Sequence, residues 1–498
     1  MRAVSRAAFR AQDNTRAPRE PAAASKPSAY AHATTLKPMV DFVPPPPFAL
    51  PPELPFTRQA LDAADALFPY SQEHSLEQVT RLRAQGFTPD ETANILSLVK
   101  ARTRALSKFG DRARTMFLTE HGAQQATRPV VAAEHAAVFA RAGVRSVADL
   151  GCGIGADSLE FARASLATVS VELDPLTASF AAANLADFSG SRVVVGDVTN
   201  FDPESFRDGT GEAVQGIWLD PARRDLTGVV KSRTERIFDP EAYSPPLSFV
   251  VDLAKTGMPM GVKLGPGMPP EDIRSEANPH PRVTAQWVEH EGSLVELVLW
   301  FNALAQEGVA RTVTVLRQEA TGQAEDKGLR IHKTTLSSPY PAEQVTPVDE
   351  KQTRFPSPGE YLYEPSGAVV RAHLVQELAQ ELGANLIDPH LAYLTAAKAV
   401  QSPLAQYYEV LEEIPVHEKQ LKKWVRERGF TALTIKKRGV DLVPEKMRAT
   451  LLAGGAGKKS GKKAAKNQGY NPATLVFTRV GSGQQARRIG WYVRPVDF

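Results

Sequence analysis

"VADLGCGIGADSLEFA", Val147 to Ala162, is the stretch that decides how the middle of the chain is read. A short apolar run carrying Asp149 ends in glycines at 151, 153 and 155, and a helical pattern follows. Glycines there let the backbone turn tightly and approach a ligand with no Cβ in the way, and the next helix offers free N–H groups. Two cofactor classes fit. Gly151, Gly153 and Ala156 satisfy the dinucleotide pattern G-x-G-x-x-G/A, and Glu172 lies 21 residues after Gly151, where a ribose-binding acid is expected. Asp149 argues the other way, because an acid just ahead of the glycines disfavours a pyrophosphate and suits a ligand bearing a cationic amine or sulfonium.

Outward from this turn, short β runs alternate with helical stretches. SVADL, TVSVEL, SRVVVGD, GIWLD, MGVKL and LVELVLWF are separated by segments such as DSLEFARA and PLTASFAAANLA. That alternation predicts βαβ units and a mainly parallel, doubly wound α/β sheet. Ligands on such sheets bind outside the carboxyl ends of the strands. Glu172 ends the second run, Asp197 the third, and Asp220 followed by Pro221 the fourth. With Asp149, four acids at four successive strand ends suit a cationic nucleoside.

DLGCGIG, the acid of VELDP, the GD of VVVGDV and the Asp-Pro after the fourth strand, in that order, resemble the motifs of class I S-adenosylmethionine-dependent methyltransferases. The resemblance covers about residues 130–303 and implies a Rossmann-like methyltransferase sheet. It also implies S-adenosylmethionine as cofactor, with Asp149, Gly151 and Gly153 on its methionine side, Gly155 among the cofactor-binding residues, Glu172 on the ribose hydroxyls, and Asp197 facing the adenine. Gln125 to Thr127 stand where such enzymes close the pocket. In the amino-methylating branch an Asp/Asn-Pro-Pro-aromatic loop orients the target NH₂ toward the methyl group and stabilises charge growing on nitrogen. Asp220 and Pro221 match its first half. Ala222 replaces the second proline, and Arg223 stands where the aromatic would stack on the base, a task a guanidinium can also perform.

Around this core, residues 1–57 are proline-rich and read as a disordered tail. Residues 58–129 read as a helical region, in which Thr88, Pro89 and Glu91 form a capping-box signature. The methyltransferase segment runs over 130–305, residues 306–358 read as linker and loops, and 359–400 as a mixed α/β connection. From about residue 401 to 498, TIKKRGVDLVPEKMRATLL and ATLVFTRVG resemble the THUMP-like region that follows such a methyltransferase in a group of bacterial proteins. THUMP modules accompany RNA-modifying enzymes, so the resemblance implies a structured RNA, tRNA first, as partner.

Charge points the same way. From Glu418 to Phe498 there are 19 Lys plus Arg against 5 Asp plus Glu, a net of +14, so the preceding body carries −11 within a total of +3. A basic module on an acidic body suits a polyanionic partner. Lys436, Lys437, Arg438, Arg487 and Arg488 are the candidate RNA contacts, with five further lysines between Lys458 and Lys466. The alternative is a basic domain docked on its own acidic body. Ten histidines show no H-E-x-x-H spacing and Cys152 is the single cysteine, so no metal site and no internal disulfide are expected, in keeping with a reducing cytoplasm. No apolar run approaches the roughly 20 residues of a membrane span. Lys263 and Gly265, in GVKLGPG, end the fifth run without an assigned role. Two rivals stay open: a nucleotide-cofactor oxidoreductase, and a non-catalytic RNA-binding protein on a methyltransferase scaffold.

Overall fold

The computed structural model describes residues 47–223, 241, 243–269, 282–320, 329–344, 353–453, 470–481 and 486–496. Its first large sheet holds nine strands: β1 (Ser146–Leu150), β2 (Ala167–Glu172), β3 (Ser191–Val195), β4 (Gly216–Leu219), β7 (Met260–Leu264), β8 (Val283–His290), β9 (Ser293–Phe301), β10 (Arg311–Ala320) and β11 (Leu329–Ser338). Between β4 and β7 the short strands β5 (Ala222–Arg223) and β6 (Tyr243–Ser244) pair with each other. The spatial order is β11-β10-β8-β9-β7-β4-β1-β2-β3. β3, β2, β1, β4 and β7 run parallel, β9 is antiparallel between β7 and β8, and β10 joins β8 in parallel. Chain order reverses at β1 and β4, so their carboxyl ends flank the switch point where ligands settle on doubly wound sheets.

Strand composition explains the burial. β1 and β4 are buried along their whole length, as strands covered on both faces must be. Trp218, Trp287 and Trp300 are among the largest fully buried side chains, and Gly261 leaves room for the rings of Trp300 and Trp218, which an added Cβ would meet at 2.6 and 2.8 Å.

Two expectations about organisation need correction. Residues 306–358 are more than linker, because β10 and β11 extend the sheet with ten paired positions. Their RTVTVLRQ pattern alternates β-branched threonine with valine, and Val313 and Val315 as well as Thr312 and Thr314 are buried, so the polarity of threonine disguised a covered strand. The last part of the expected tail, 47–57, is also built in. Ala49 exchanges two backbone hydrogen bonds with Val195 on the open edge of β3, at 2.9 and 2.7 Å. Phe48 meets Phe206 edge-on at 4.8 Å and fills the space that a side chain at Gly196 would need. Residues 1–46 lie outside the described part.

The N-terminal helices form as their caps dictate. Thr88 accepts from the Glu91 amide while Glu91 accepts from the Thr88 amide, a closed capping box on the helix Pro89–Phe109. This bundle docks on the helix Pro175–Asn184 through Phe56, Phe117 and Phe180, whose ring centroids lie 6.0 to 6.3 Å apart.

The second sheet has seven strands: β12 (Tyr361–Pro365), β13 (Asn385–Asp388), β14 (Leu391–Ala396), β15 (Ala405–Glu413), β16 (Ala432–Arg438), β17 (Pro472–Val480) and β18 (Arg487–Pro495), in the order β13-β14-β12-β15-β18-β17-β16. Residues 359–400 therefore share one sheet with the C-terminal part. The sheet curls until its two edges meet: the Gly481 amide donates to Asp388 at 2.7 Å, and the Arg438 guanidinium lies 5.4 Å over the Tyr393 ring. One face is covered by the helices Glu418–Glu427 and Pro444–Leu452.

Phe48→Ala should lower stability by about 3 kcal/mol, the usual loss for a buried phenylalanine. An unchanged thermal unfolding midpoint would show that residues 47–57 are not docked on the sheet.

Candidate functional site

β1 and β4 pair in parallel with Asp149 beside Trp218 and Leu150 beside Leu219. Their turns consequently leave the sheet together. Gly151 has φ +83°, and a Cβ there would stand 2.9 Å from the Asp220 carbonyl oxygen. Only glycine satisfies both the left-handed backbone and that approach. On the other side, the Gly153 amide donates to Glu172 at 2.9 Å and the Asp174 amide to its second oxygen at 3.0 Å, so the glycine turn is held against the end of β2. Two of the carboxylate's roughly four acceptor sites remain for a ligand. The Gly196 amide bonds the Glu172 carbonyl at 3.0 Å, which brings the end of β3 alongside, and exposed Asp197 caps the next turn with one oxygen through Thr199. Gln125 is exposed at the end of the helix Glu120–Gln125, and Thr127 is buried.

Asp149, Glu172, Asp197 and Asp220 thus line one rim of the sheet. Asp149 differs from the sequence expectation in its state. It is 1% exposed, accepts from the Ser158 hydroxyl through Oδ2, and its Oδ1 has no partner among the described residues. Burial, then the Asp157 charge, push its carboxyl up to about 8 against the Ser158 hydrogen bond. A buried orphan carboxyl oxygen beside a cradle too tight for any Cβ fits the cationic amino acid end of S-adenosylmethionine, whose charge favours the ionised form. Cys152 is buried, and burial first raises its thiol further, so it is no nucleophile.

The acceptor side holds what the sequence missed. Lys263, at the end of β7, donates to Asp220 Oδ2 at 2.5 Å and to Thr127 at 3.1 Å. Thr127 donates to Asp157 at 2.7 Å, and His135 bridges Asp157 at 2.8 Å and Glu296 at 2.6 Å. The imidazole also lies 4.2 Å from the Trp218 ring. Burial alone would lower the His135 pKa, but Glu296 and Asp157 outweigh it and raise it to about 9. A doubly donating, charged histidine therefore sits between two buried carboxylates. Asp220 remains a third exposed, pointing to the rim, and burial pushes its carboxyl up while Lys263 opposes that shift.

Pro221 is buried, and the backbone of Ala222 and Arg223 pairs with Ser244 and Tyr243. The Arg223 side chain lies outside the described residues, as does the lysine run 458–466. On the C-terminal sheet the structure withdraws two candidates. Lys436 bonds Glu364 at 2.6 Å and Gln406 at 2.8 Å, and Arg438 is half-buried over Tyr393, so both serve the closure of the sheet. Lys437, Arg487 and Arg488 are exposed. Arg479, unremarked in the sequence, stands directly across from Arg488. A cavity of about 500 Å³ lies elsewhere, behind the helix Ala156–Arg163 and beside Phe109 and Phe117. It contains none of the strand-end acids.

His135 makes stability pH-dependent. Its pKa is higher folded than unfolded, so its contribution is complete below pH 6.5 and is lost as pH rises through about 9. Asp149, also raised, loses its contribution between 3.8 and about 8, in the same direction. The unfolding midpoint should fall between pH 6.5 and 9, and His135→Gln should flatten that slope; an equal slope in the variant contradicts the assignment. Gly151→Ala should remove the thermal shift produced by S-adenosylhomocysteine, because both the backbone and the Asp220 carbonyl resist it.

Comparison with known proteins supports the architecture. Residues 405–495 match the family model described as THUMP domain-like. Uncharacterized S-adenosylmethionine-dependent methyltransferases from two Mycobacterium tuberculosis strains, CDC 1551 / Oshkosh and ATCC 25618 / H37Rv, are each 27% identical to the chain over 402 residues, covering 79% of this chain and 94% of theirs. The crystal structure of a putative methyltransferase from Porphyromonas gingivalis W83 superposes with a TM-score of 0.61 at 17% identity, over 89% of this chain and 100% of that one. The chain has a mixed α/β methyltransferase fold with a large, partly parallel sheet, and a THUMP-like domain with a separate sheet at its C-terminal end.

Proposed function

We propose that the chain methylates structured RNA, with tRNA as the first candidate, at the rim where Asp220 faces the cofactor turn. Its class is that of the relatives: it is an S-adenosylmethionine-dependent methyltransferase. The observation that supports this reading is the close approach of the Gly151 turn to the Asp220 backbone carbonyl, which would set a cofactor cradle beside an acceptor-side carboxylate. When bound, S-adenosylmethionine supplies an electrophilic methyl group on a sulfonium. Asp149 would meet its cationic end, Glu172 its ribose, Asp197 its adenine, and Gln125 with Thr127 would close over it. Asp220 would orient the accepting group.

The RNA reading is supported by the basic face of the C-terminal domain. Lys437, Arg479 and Arg488 stand on adjacent strands at one end of the sheet, and Lys437 faces the same side as Arg479, two places along β17. Like charges directly opposite each other on a sheet destabilise it. Among the described residues none of the three has a carboxylate partner, and the sequence 454–469 and 482–485 contains no acid. Phosphates neutralise such a row. Arg487, over the Phe355 ring at 5.4 Å, adds a cation and a half-exposed aromatic at the same end.

Incubating the full chain with labelled S-adenosylmethionine and tRNA from cells lacking the gene should label tRNA. Arg479→Glu with Arg488→Glu should abolish that label while S-adenosylhomocysteine still binds. The salt slope of tRNA binding should shrink by about 0.7–0.9 for each phosphate that the variant no longer neutralises. Unaltered tRNA affinity in the double variant would remove the C-terminal domain from RNA delivery.

A further inference from the structure

Lys263 is where the acceptor side departs from an amine-methylating site. Its ammonium rests on Asp220 at 2.5 Å, and Asp157 and Glu296 act on it from the network behind Thr127. Burial would discharge it, but Asp220, then Asp157 and Glu296, hold its pKa well above the ordinary lysine value. A permanent cation therefore stands beside the residue that receives the accepting group. Methylating an amine makes that nitrogen more positive as the bond forms, and a neighbouring ammonium opposes it. Methylating a hydroxyl needs a base for the departing proton, and the same ammonium keeps Asp220 ionised to serve as that base.

We propose that Lys263 and Asp220 form an ammonium–carboxylate pair that directs methylation to an oxygen of the RNA, a ribose hydroxyl foremost, instead of an exocyclic amine. This rests on the RNA-methyltransferase reading above. Asp220 accepts the hydroxyl proton through its free carboxylate oxygen. The hydroxyl oxygen's lone pair forms the new O–CH₃ bond, and the electrons of the broken CH₃–S bond return to sulfur, leaving it a neutral thioether. Lys263 keeps its protons throughout. It is a positioning residue that fixes Asp220 and lowers the proton affinity that burial has raised.

The test uses the full chain, labelled S-adenosylmethionine and tRNA from cells lacking the gene, with the product digested to nucleosides and fragmented by mass spectrometry. The pair predicts the methyl on the sugar fragment and an unshifted base ion. A methyl on a base nitrogen overturns it. If no RNA is labelled although S-adenosylhomocysteine binds, the RNA reading fails, and the pair is judged by a measurement that needs no acceptor: carbodiimide labelling of Asp220 across pH, read by peptide mass spectrometry. Lys263→Met should raise the Asp220 midpoint by about one pH unit or more, and Lys263→Arg should restore it. An unchanged midpoint in Lys263→Met overturns the pair. Where activity is measurable, Lys263→Met should cut kcat roughly 100-fold and move the acid limb of the rate profile upward by the same interval.

Discussion

Everything at this rim depends on one contact, the 2.9 Å that separates the Asp220 carbonyl from the position a Cβ on Gly151 would take. Parallel pairing of β1 with β4 makes the approach unavoidable, since both strands end level and both turns leave on the same side. Glycine at 151 is then a consequence of topology. With that contact made, the turn can be pinned to Glu172 through the Gly153 amide, and Asp149 is left beneath it with one oxygen unspent.

Behind the rim lies a chain of buried charges that alternates in sign, from Asp220 through Lys263 to Asp157, His135 and Glu296, with Thr127 as a neutral link. Removing one member of such a chain leaves its neighbour charged and unpaired, a loss of about 3–5 kcal/mol for a buried pair. The chain ties the segment around Thr127 to the Asp220 carboxylate. Lys108 supports the same segment from the other direction: its ammonium bonds the carbonyls of Ala123, Gln124 and Ala126 at 2.6 to 2.8 Å, so a single side chain caps the helix that ends at Gln125. Rigidity at Thr127 is thus shared by both halves of the site.

Local signals in the sequence are readable because their physics is local. The capping box at Thr88 spans four residues, the glycine turn five, and the acids mark the ends of apolar runs that any parallel sheet would bury. What is not readable depends on partners far apart in the chain. His135 meets Asp157 across 22 positions and Glu296 across 161, and Lys263 meets Thr127 across 136, distances at which spacing carries no information. Lys436 has the look of a free cation beside Lys437, yet Glu364, 72 positions earlier, lies against it. β10 is hard to see because its threonines count as polar, and Phe48 because proline-rich neighbours mask one buried ring.

That the strand-end acids bind a sulfonium nucleoside is tested most directly by isothermal titration of the full chain with S-adenosylhomocysteine, set beside the same titration with NADH. One saturable site for S-adenosylhomocysteine, absent in Asp149→Ala, and no heat from NADH is the predicted result. Binding of NADH with none of S-adenosylhomocysteine would contradict it and return the glycine turn to the dinucleotide class.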